Sequence, residues 1–426
     1  MIRIMNIALV IVWLVSKCQG DDIYVGSGGT DNQSCGSSSS SSCKTVGSAV
    51  KKGDVVKLIA GTIAGDSSTV AIDTKTVSIE GLNPSASSEA PVEQISQAIL
   101  QYDSFGDDRF TVSTGSLSLK AFSVVLNTQP NSNLNLVYVS DKGGVVLDNM
   151  QISSGSTELQ FYPVIYCINS GSVSISHSIM KNFNCQSLQC IMIAYNRNSC
   201  SSLSVSDSLF ENIITSGTGS VFYLRSWLAK TPSITGTTFR NCKSTSNNGG
   251  AIYSEYDNMQ IRSSTFVSCT ASTGGAIYAT GSATCQLSLQ SCTFIGCSAS
   301  NGGGGVYAYS NKDDNGNRGT IYIEGCVFDS CSTSASANLY GGGGVMVDYA
   351  LVSVTSTNFT SCSSEEYGGA FCWDYQSTPL NSPFFKSCRF CENTASTGAD
   401  LCFRTWSADV SPFDEEPGVI HYVYML

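Results

Sequence analysis

One pattern recurs along this chain at intervals of 27 to 34 residues, and it limits the fold more than any other feature. Two apolar residues separated by one are followed by a small residue, an aromatic, and then Cys or Asn. The pattern reads VSISHSIMKNF (173–183), LSVSDSLFENI (203–213), PSITGTTFRNC (232–242), MQIRSSTFVSC (259–269), LSLQSCTFIGC (287–297), IYIEGCVFDSC (321–331) and VSVTSTNFTSC (352–362). Its aromatic slot is Met180, then Phe210, Phe239, Phe266, Phe294, Phe328, Phe359 and Phe390. Alternating apolar residues such as Leu287 and Leu289, ahead of Phe294, mark a half-buried strand.

A second element precedes the first in five repeats: GGAIY (249–253), GGAIY (274–278), GGVYA (304–308), GGVMV (343–347) and GGAFC (368–372). The pairs Gly249 and Gly250, Gly274 and Gly275, Gly304 and Gly305, Gly343 and Gly344, and Gly368 and Gly369 supply a tight corner, and the apolar residues after them start the next strand. Short strands repeating with no helical period are coils of a solenoid. The reading is all-β: a right-handed, single-stranded parallel β-helix of about ten imperfect rungs with an N-terminal cap. Equivalent side chains then stack about 4.8 Å apart, so the phenylalanine slot becomes a ladder filling the bore. The L-x-x-L-x-L run of leucine-rich repeats is missing, and so are the four strands per blade of a propeller.

Four segments follow. Residues 1–20 read as an export signal, with Arg3 ahead of the apolar run IALVIVWLV and small residues before a cleavage point. Residues 21–60 read as the cap and entry strand, 61–408 as the β-helix, and 409–426 as a C-terminal tail. The net charge of −11 argues against nucleic acid and anionic membrane surfaces as partners, since both need clustered Lys and Arg. No second apolar stretch is long enough to span a membrane.

Export changes the meaning of the 19 cysteines. Setting Cys18 aside with the signal leaves an even number in a compartment that permits disulfides. Zinc-type spacing is missing. Cys35 and Cys43 flank a serine run and are expected to staple its loop. Cys292 and Cys326 share a slot in adjacent rungs, as do Cys372 and Cys402, so both are disulfide candidates. In-register Cβ vectors, however, lie nearly as far apart as their Cα atoms. Some of the ladder from Cys242 to Cys362 is therefore expected to stay as buried thiols.

The paired motifs GG-A-[ILV] and F-x-x-[NC] resemble the repeats of the polymorphic membrane proteins of chlamydiae and related protist surface proteins. They stand here as GGAIY at 249 and 274 and as FCEN at 390–393, with Cys242, Cys269, Cys297, Cys331 and Cys362 where the fourth position otherwise holds Asn. The resemblance covers roughly residues 160 to 405. It implies a surface-exposed or secreted, adhesin-like β-helical passenger. The chlamydial proteins end in an outer-membrane β-barrel, whereas this sequence stops at HYVYML (421–426), so it is either released or a truncated fragment.

Carbohydrate-active enzymes also use the β-helix, through clustered carboxylates or calcium-binding acids. The outward slot four places before the aromatic holds Ser176, Ser206, Thr235, Arg262, Gln290, Glu324 and Thr355, which form no acidic cluster. Asp207 and Glu211 share one rung but face Gly236 and Arg240 in the next. His177 occupies a turn slot and reads as a surface residue. Asn311, Asp313 and Asn315, with Gly316, match the first half of a calcium loop. Tyr322 stands where the closing acid belongs, so a plain polar loop is expected and no cofactor is assigned. Asn32 and Asn358 lie in glycosylation sequons. The expected function is therefore a secreted or cell-surface binding module, adhesin-like or structural, that holds a glycan or protein of a surface or matrix without catalysis. The alternative is a polysaccharide lyase or glycosidase working in a groove on one sheet face.

Overall fold

The computed structural model describes residues 22–51, 53–65, 68–82, 98–102, 108–127, 135–155, 163–185, 191–195, 200–225, 231–255, 258–283, 285–313, 317–334, 341–375, 383–405 and 422–425. Residues 1–20, read above as an export signal, Asn315 and most of residues 409–426 lie outside these residues.

The chain is a parallel β-helix. Two of its sheets each stack thirteen strands in chain order, more than the ten or so rungs legible in the repeat. The first runs from Ile23–Val25 to Phe384–Lys386 and the second from Val70–Ile72 to Tyr422–Met425. A third, built from Gly61–Ala64 to Arg389–Cys391, closes each turn. Every strand pairs in parallel with its equivalent one rung away. Leu287 and Leu289, for example, lie beside Ile321 and Ile323. Alternation decides which residues turn inward, so Gln286–Gln290 buries Leu287 and Leu289 and leaves Gln286 in water.

The bore is filled by the aromatic slot. Phe210, Phe239, Phe266, Phe294, Phe328 and Phe359 are fully buried, and their rings stack at 4.6 to 5.3 Å between centroids. Phe390 ends the column, stacked on Phe359 at 5.1 Å but only half-buried. Each ring contributes area burial plus an aromatic pair of about 0.5–1.5 kcal/mol.

In the central rungs three of the corners each turn on one left-handed residue. The first corner places Asn149, His177, Asp207, Gly236, Ser263, Ser291, Gly325, Ser356 and Ser387 at φ of 46° to 60°. From His177 onward the next residue is Ser, Thr or Cys, and it latches the corner by donating to the carbonyl two places back. Ser178 does this to Ser176 at 2.7 Å, Thr237 to Thr235 at 3.0 Å, and Cys292 and Cys326 to Gln290 and Glu324 at 3.4 Å each. The second corner begins with an asparagine ladder, Asn241 to Asn212 to Asn182, linked by side-chain amides at 3.0 and 3.1 Å.

The third corner belongs to glycine. Gly249, Gly274 and Gly368 are left-handed, at φ of 70°, 64° and 59°. In the two four-glycine runs the left-handed residue is Gly303 or Gly342, one place before the pairs Gly304–Gly305 and Gly343–Gly344 that the sequence suggested. The second member of each corner has another reason to be glycine. A Cβ on Gly250, Gly275, Gly304, Gly343 or Gly369 would sit 1.9 to 2.2 Å from the carbonyl oxygen of the next rung.

Ile23–Val25 already pairs with Val55–Leu58, so the entry strand is the first rung of the first sheet. A single-turn helix, Val46–Val50, buries Val46, Ala49 and Val50 over the open end, and the Thr45 hydroxyl caps it by accepting from the Ser48 amide. At the far end Tyr422–Met425 pairs with Leu401–Arg404, which carries the ladder past residue 408.

The cysteines depart most from expectation. Cys35–Cys43 is a disulfide, with Cα atoms 4.8 Å apart. Cys292, Cys326, Cys372 and Cys402 are thiols instead, although Cys372 and Cys402 are in direct register. Side chains in register leave a parallel strand side by side, so their Cβ atoms stay too far apart for a disulfide. The second bond, Cys167–Cys200, joins residues on different faces, where the vectors can converge. Cys185 is bonded as well, to a partner outside the described residues.

Candidate functional site

Beyond the second corner the third sheet continues as a row of very short strands: Lys243–Ser244, Thr270–Thr273, Ser298–Gly302, Ser332–Thr333 and Ser363–Ser364. The residue before each of them is a cysteine, Cys242, Cys269, Cys297, Cys331 or Cys362, whose thiol latches the second corner by donating to the carbonyl two places back. The chain must then turn outward again toward the glycine corner, and this bend folds five rungs into a trough along the helix axis. The trough has a volume of about 740 Å³ and is lined almost wholly by small hydroxyl residues, among them Ser272, Ser300 and Ser334. Lys243 stands at one end and Glu365 at the other, and no charged residue lies between them in the lining.

The hydroxyls are partly organised. Ser300 donates to the Ser272 carbonyl at 3.3 Å, and the Asn301 amide donates to the Ser272 hydroxyl at 2.9 Å. The hydroxyls of Thr270, Thr333 and Ser364 are buried with no hydrogen-bond partner. Backbone groups along the row pair with the rungs above and below, as Ser332 does with Ser298 and Ser363. A ligand lying in the trough therefore meets side-chain hydroxyls and not a strand edge.

The residues singled out in the sequence do not gather there. Glu211 pairs with Arg240 at 3.0 Å across one rung. Glu324 accepts from Gln290, which in turn accepts from Arg262, so the outward slot of the first sheet is a solvated polar chain. His177 sits at a first corner with Nδ1 3.1 Å from Asp148 and Nε2 3.9 Å from Asp207, more than half exposed. In the calcium-like loop the two Asp313 oxygens accept from the backbone and side-chain amides of Asn317 at 2.7 and 2.8 Å. The Asn311 side chain accepts from the Tyr309 hydroxyl. Asn32 and Asn358 are both exposed.

One constellation escaped the sequence reading. Asp348 and Asp374 lie in register on adjacent strands of the second sheet, each 7% exposed. The Tyr307 hydroxyl donates to Asp348 at 3.1 Å, and the Arg318 guanidinium lies 4.7 Å above the Tyr349 ring. Burial, then the charges of Asp348 and Asp374, push the Tyr349 phenol upward. The shared D-Y ending of VMVDY (345–349) and FCWDY (371–375) was the available signal.

A second aromatic row, Tyr223, Tyr253, Tyr278 and Tyr307, stacks at 5.1 to 5.2 Å on the outer face of the second sheet. Rings stacked along the axis show their edges to solvent, so the row offers no face on which a sugar or base could lie.

No protein-family profile matches the chain, and no curated protein does. Among solved structures it is similar to the crystal structure of the GH136 lacto-N-biosidase from Eubacterium ramulus. The match covers 90% of this chain and 67% of that one, at 9% identity and a TM-score of 0.38. So distant a likeness carries no argument about site or substrate. It does correct the expectation that the chain is not an enzyme: the similar structure is a glycosidase, and the exclusion of catalysis is withdrawn.

Proposed function

We propose that the chain is a secreted or cell-surface binding module that holds an extended, uncharged glycan in the axial trough. The observation that carries this reading is the trough itself, five rungs of hydroxyl residues with one charge at each end. Rungs about 4.8 Å apart repeat at close to the advance of one sugar in an extended chain, so successive sugars would meet equivalent hydroxyl sets. An anionic polymer would find a single cation there, Lys243, and a peptide would find no free strand edge. The export signal and the disulfides support an oxidising, extracellular setting. The repeat motifs support the surface role that the family resemblance implies.

The test uses the secreted chain and a set of insoluble and soluble polysaccharides, neutral and acidic. Neutral glycans should be retained, and Ser300→Arg with Ser334→Arg, which fill the trough from two exposed positions, should abolish retention. Unchanged retention by the filled variant would overturn the reading.

A second reading rests on Asp348 and Asp374. Register on adjacent rungs places two carboxyl groups roughly 5 Å apart, near the separation used by retaining glycosidases. New reducing ends that vanish in Asp348→Asn and Asp374→Asn would establish it. Product that survives both substitutions, or none on any glycan, would remove it.

A further inference from the structure

The third-sheet latch slot carries five thiols in consecutive rungs: Cys242, Cys269, Cys297, Cys331 and Cys362. All five are fully buried in the bore. Each sulfur donates to the carbonyl of the phenylalanine one rung back, as Cys297 does to Phe266 and Cys362 to Phe328 at 3.5 Å. The residues that follow the cysteines, Lys243, Thr270, Ser298, Ser332 and Ser363, pair in register from rung to rung, so successive sulfurs stand one rung apart. At the C-terminal end Asn393 takes over the slot, donating to Phe359 and accepting from the Cys362 amide.

Holding the chain in its corners does not require sulfur. Ser, Thr and Asn perform the same latch elsewhere in this molecule, at Ser264, Thr357 and Asn393. What the five cysteines add is an unbroken line of soft ligand atoms in a dry bore.

We propose that this line is a binding site for soft monovalent d10 cations of the Cu(I) and Ag(I) class, each held two-coordinate between successive sulfurs. The rung repeat forbids a disulfide, whose sulfurs must approach to about 2 Å. It suits a linear sulfur–metal–sulfur unit, whose sulfurs stand apart by twice a metal–thiolate bond of roughly 2.3 Å. Thioether and thiolate ligands select such cations over hard ones, and no four-ligand shell for zinc is formed here.

Charge balances at each step. One cation enters and one thiol gives up its proton to solvent; the ion bonds the resulting thiolate and, through a lone pair, the neighbouring sulfur, so the bore gains no net charge. Five sulfurs leave four gaps, and Cys269 or Cys331 borders every one of them.

The full chain, both folded and refolded in chloride-free buffer with Ag(I), is measured by native mass spectrometry and by silver X-ray absorption. Silver is redox-inert, so no reductant is needed. Up to four ions should be held with two sulfur neighbours each, and one proton should be released per ion. Cys269→Ser with Cys331→Ser should lose these four, while Cys292→Ser with Cys326→Ser should keep them. Absorption on the wild-type chain tests the site even where a variant fails to fold. No uptake by either route, oxygen or nitrogen neighbours, or an undiminished count in the first variant would overturn the proposal.

Discussion

The rings of Phe294 and Phe328 lie 4.6 Å apart and 3° from parallel, the tightest step in the column that fills the bore. Replacing Phe294 by Ala removes one ring from between two others and leaves a cavity in a core that cannot collapse along the helix axis. A loss of about 3–5 kcal/mol is expected in urea unfolding. Phe390→Ala at the half-buried end of the column should cost clearly less.

Gly275 and Gly28 make a matched pair of glycine tests. A Cβ at Gly275 would lie 2.0 Å from the Gly304 carbonyl, whereas one at Gly28 meets nothing within 4 Å. Gly275→Ala must push two rungs apart and is expected to lower stability by at least ~2 kcal/mol. Gly28→Ala should stay within about 0.5 kcal/mol of wild type. Melting temperatures of the two variants decide it, and equal values would refute the close-approach account.

Glu80 carries an acid-side dependence. Burial would raise its carboxyl, but hydrogen bonds from Lys57, at 2.6 Å, and Ser78 hold it below its ordinary value of 4.5. A depressed carboxyl gives stability that is present above the unfolded value and is lost as pH falls through the folded one. The decline therefore belongs below about pH 4.5, and Glu80→Gln should flatten it there. The pair is still partly exposed and screened by solvent, so its removal at neutral pH should cost only about 0.5 kcal/mol. Stability measured from pH 7 to 3 in both proteins checks the sign.

Peptide mapping under non-reducing conditions should find the links Cys35–Cys43 and Cys167–Cys200. It should find no link between Cys292 and Cys326 or between Cys372 and Cys402. The buried thiols should resist alkylation in the native chain and react fully once it is unfolded in denaturant.

The central rungs were legible because ladder residues must recur in register, and Phe266, Phe294 and Phe328 do so visibly. The early rungs were not. Val56 pairs with Ile79 and Ile79 with Leu119, a change of rung length that hides the repeat where no Gly-Gly or Phe marks it. Within a run of four glycines nothing in the sequence says which one is left-handed, hence the shift to Gly303 and Gly342. Cys167 and Cys200 belong to no ladder, so repeat logic could not pair them. The trough was missed because Ser and Thr after the latch cysteine look like ordinary surface until the bend folds them together. Asp348 and Asp374 were not legible because they sit at strand ends of the second sheet, away from the outward slot of the first sheet that the repeat marks.

The proposed binding mode fixes how affinity depends on ligand length. Five rungs at about 4.8 Å span roughly 19 Å, the reach of a short oligosaccharide. Calorimetric titration of one neutral glycan, from the monomer upward, should show affinity rising to four or five sugars and then levelling off. The Ser300→Arg, Ser334→Arg chain should show no such rise. Binding of a single sugar as tight as that of the longer chains, or a rise that persists in the filled variant, would contradict the axial trough as the site.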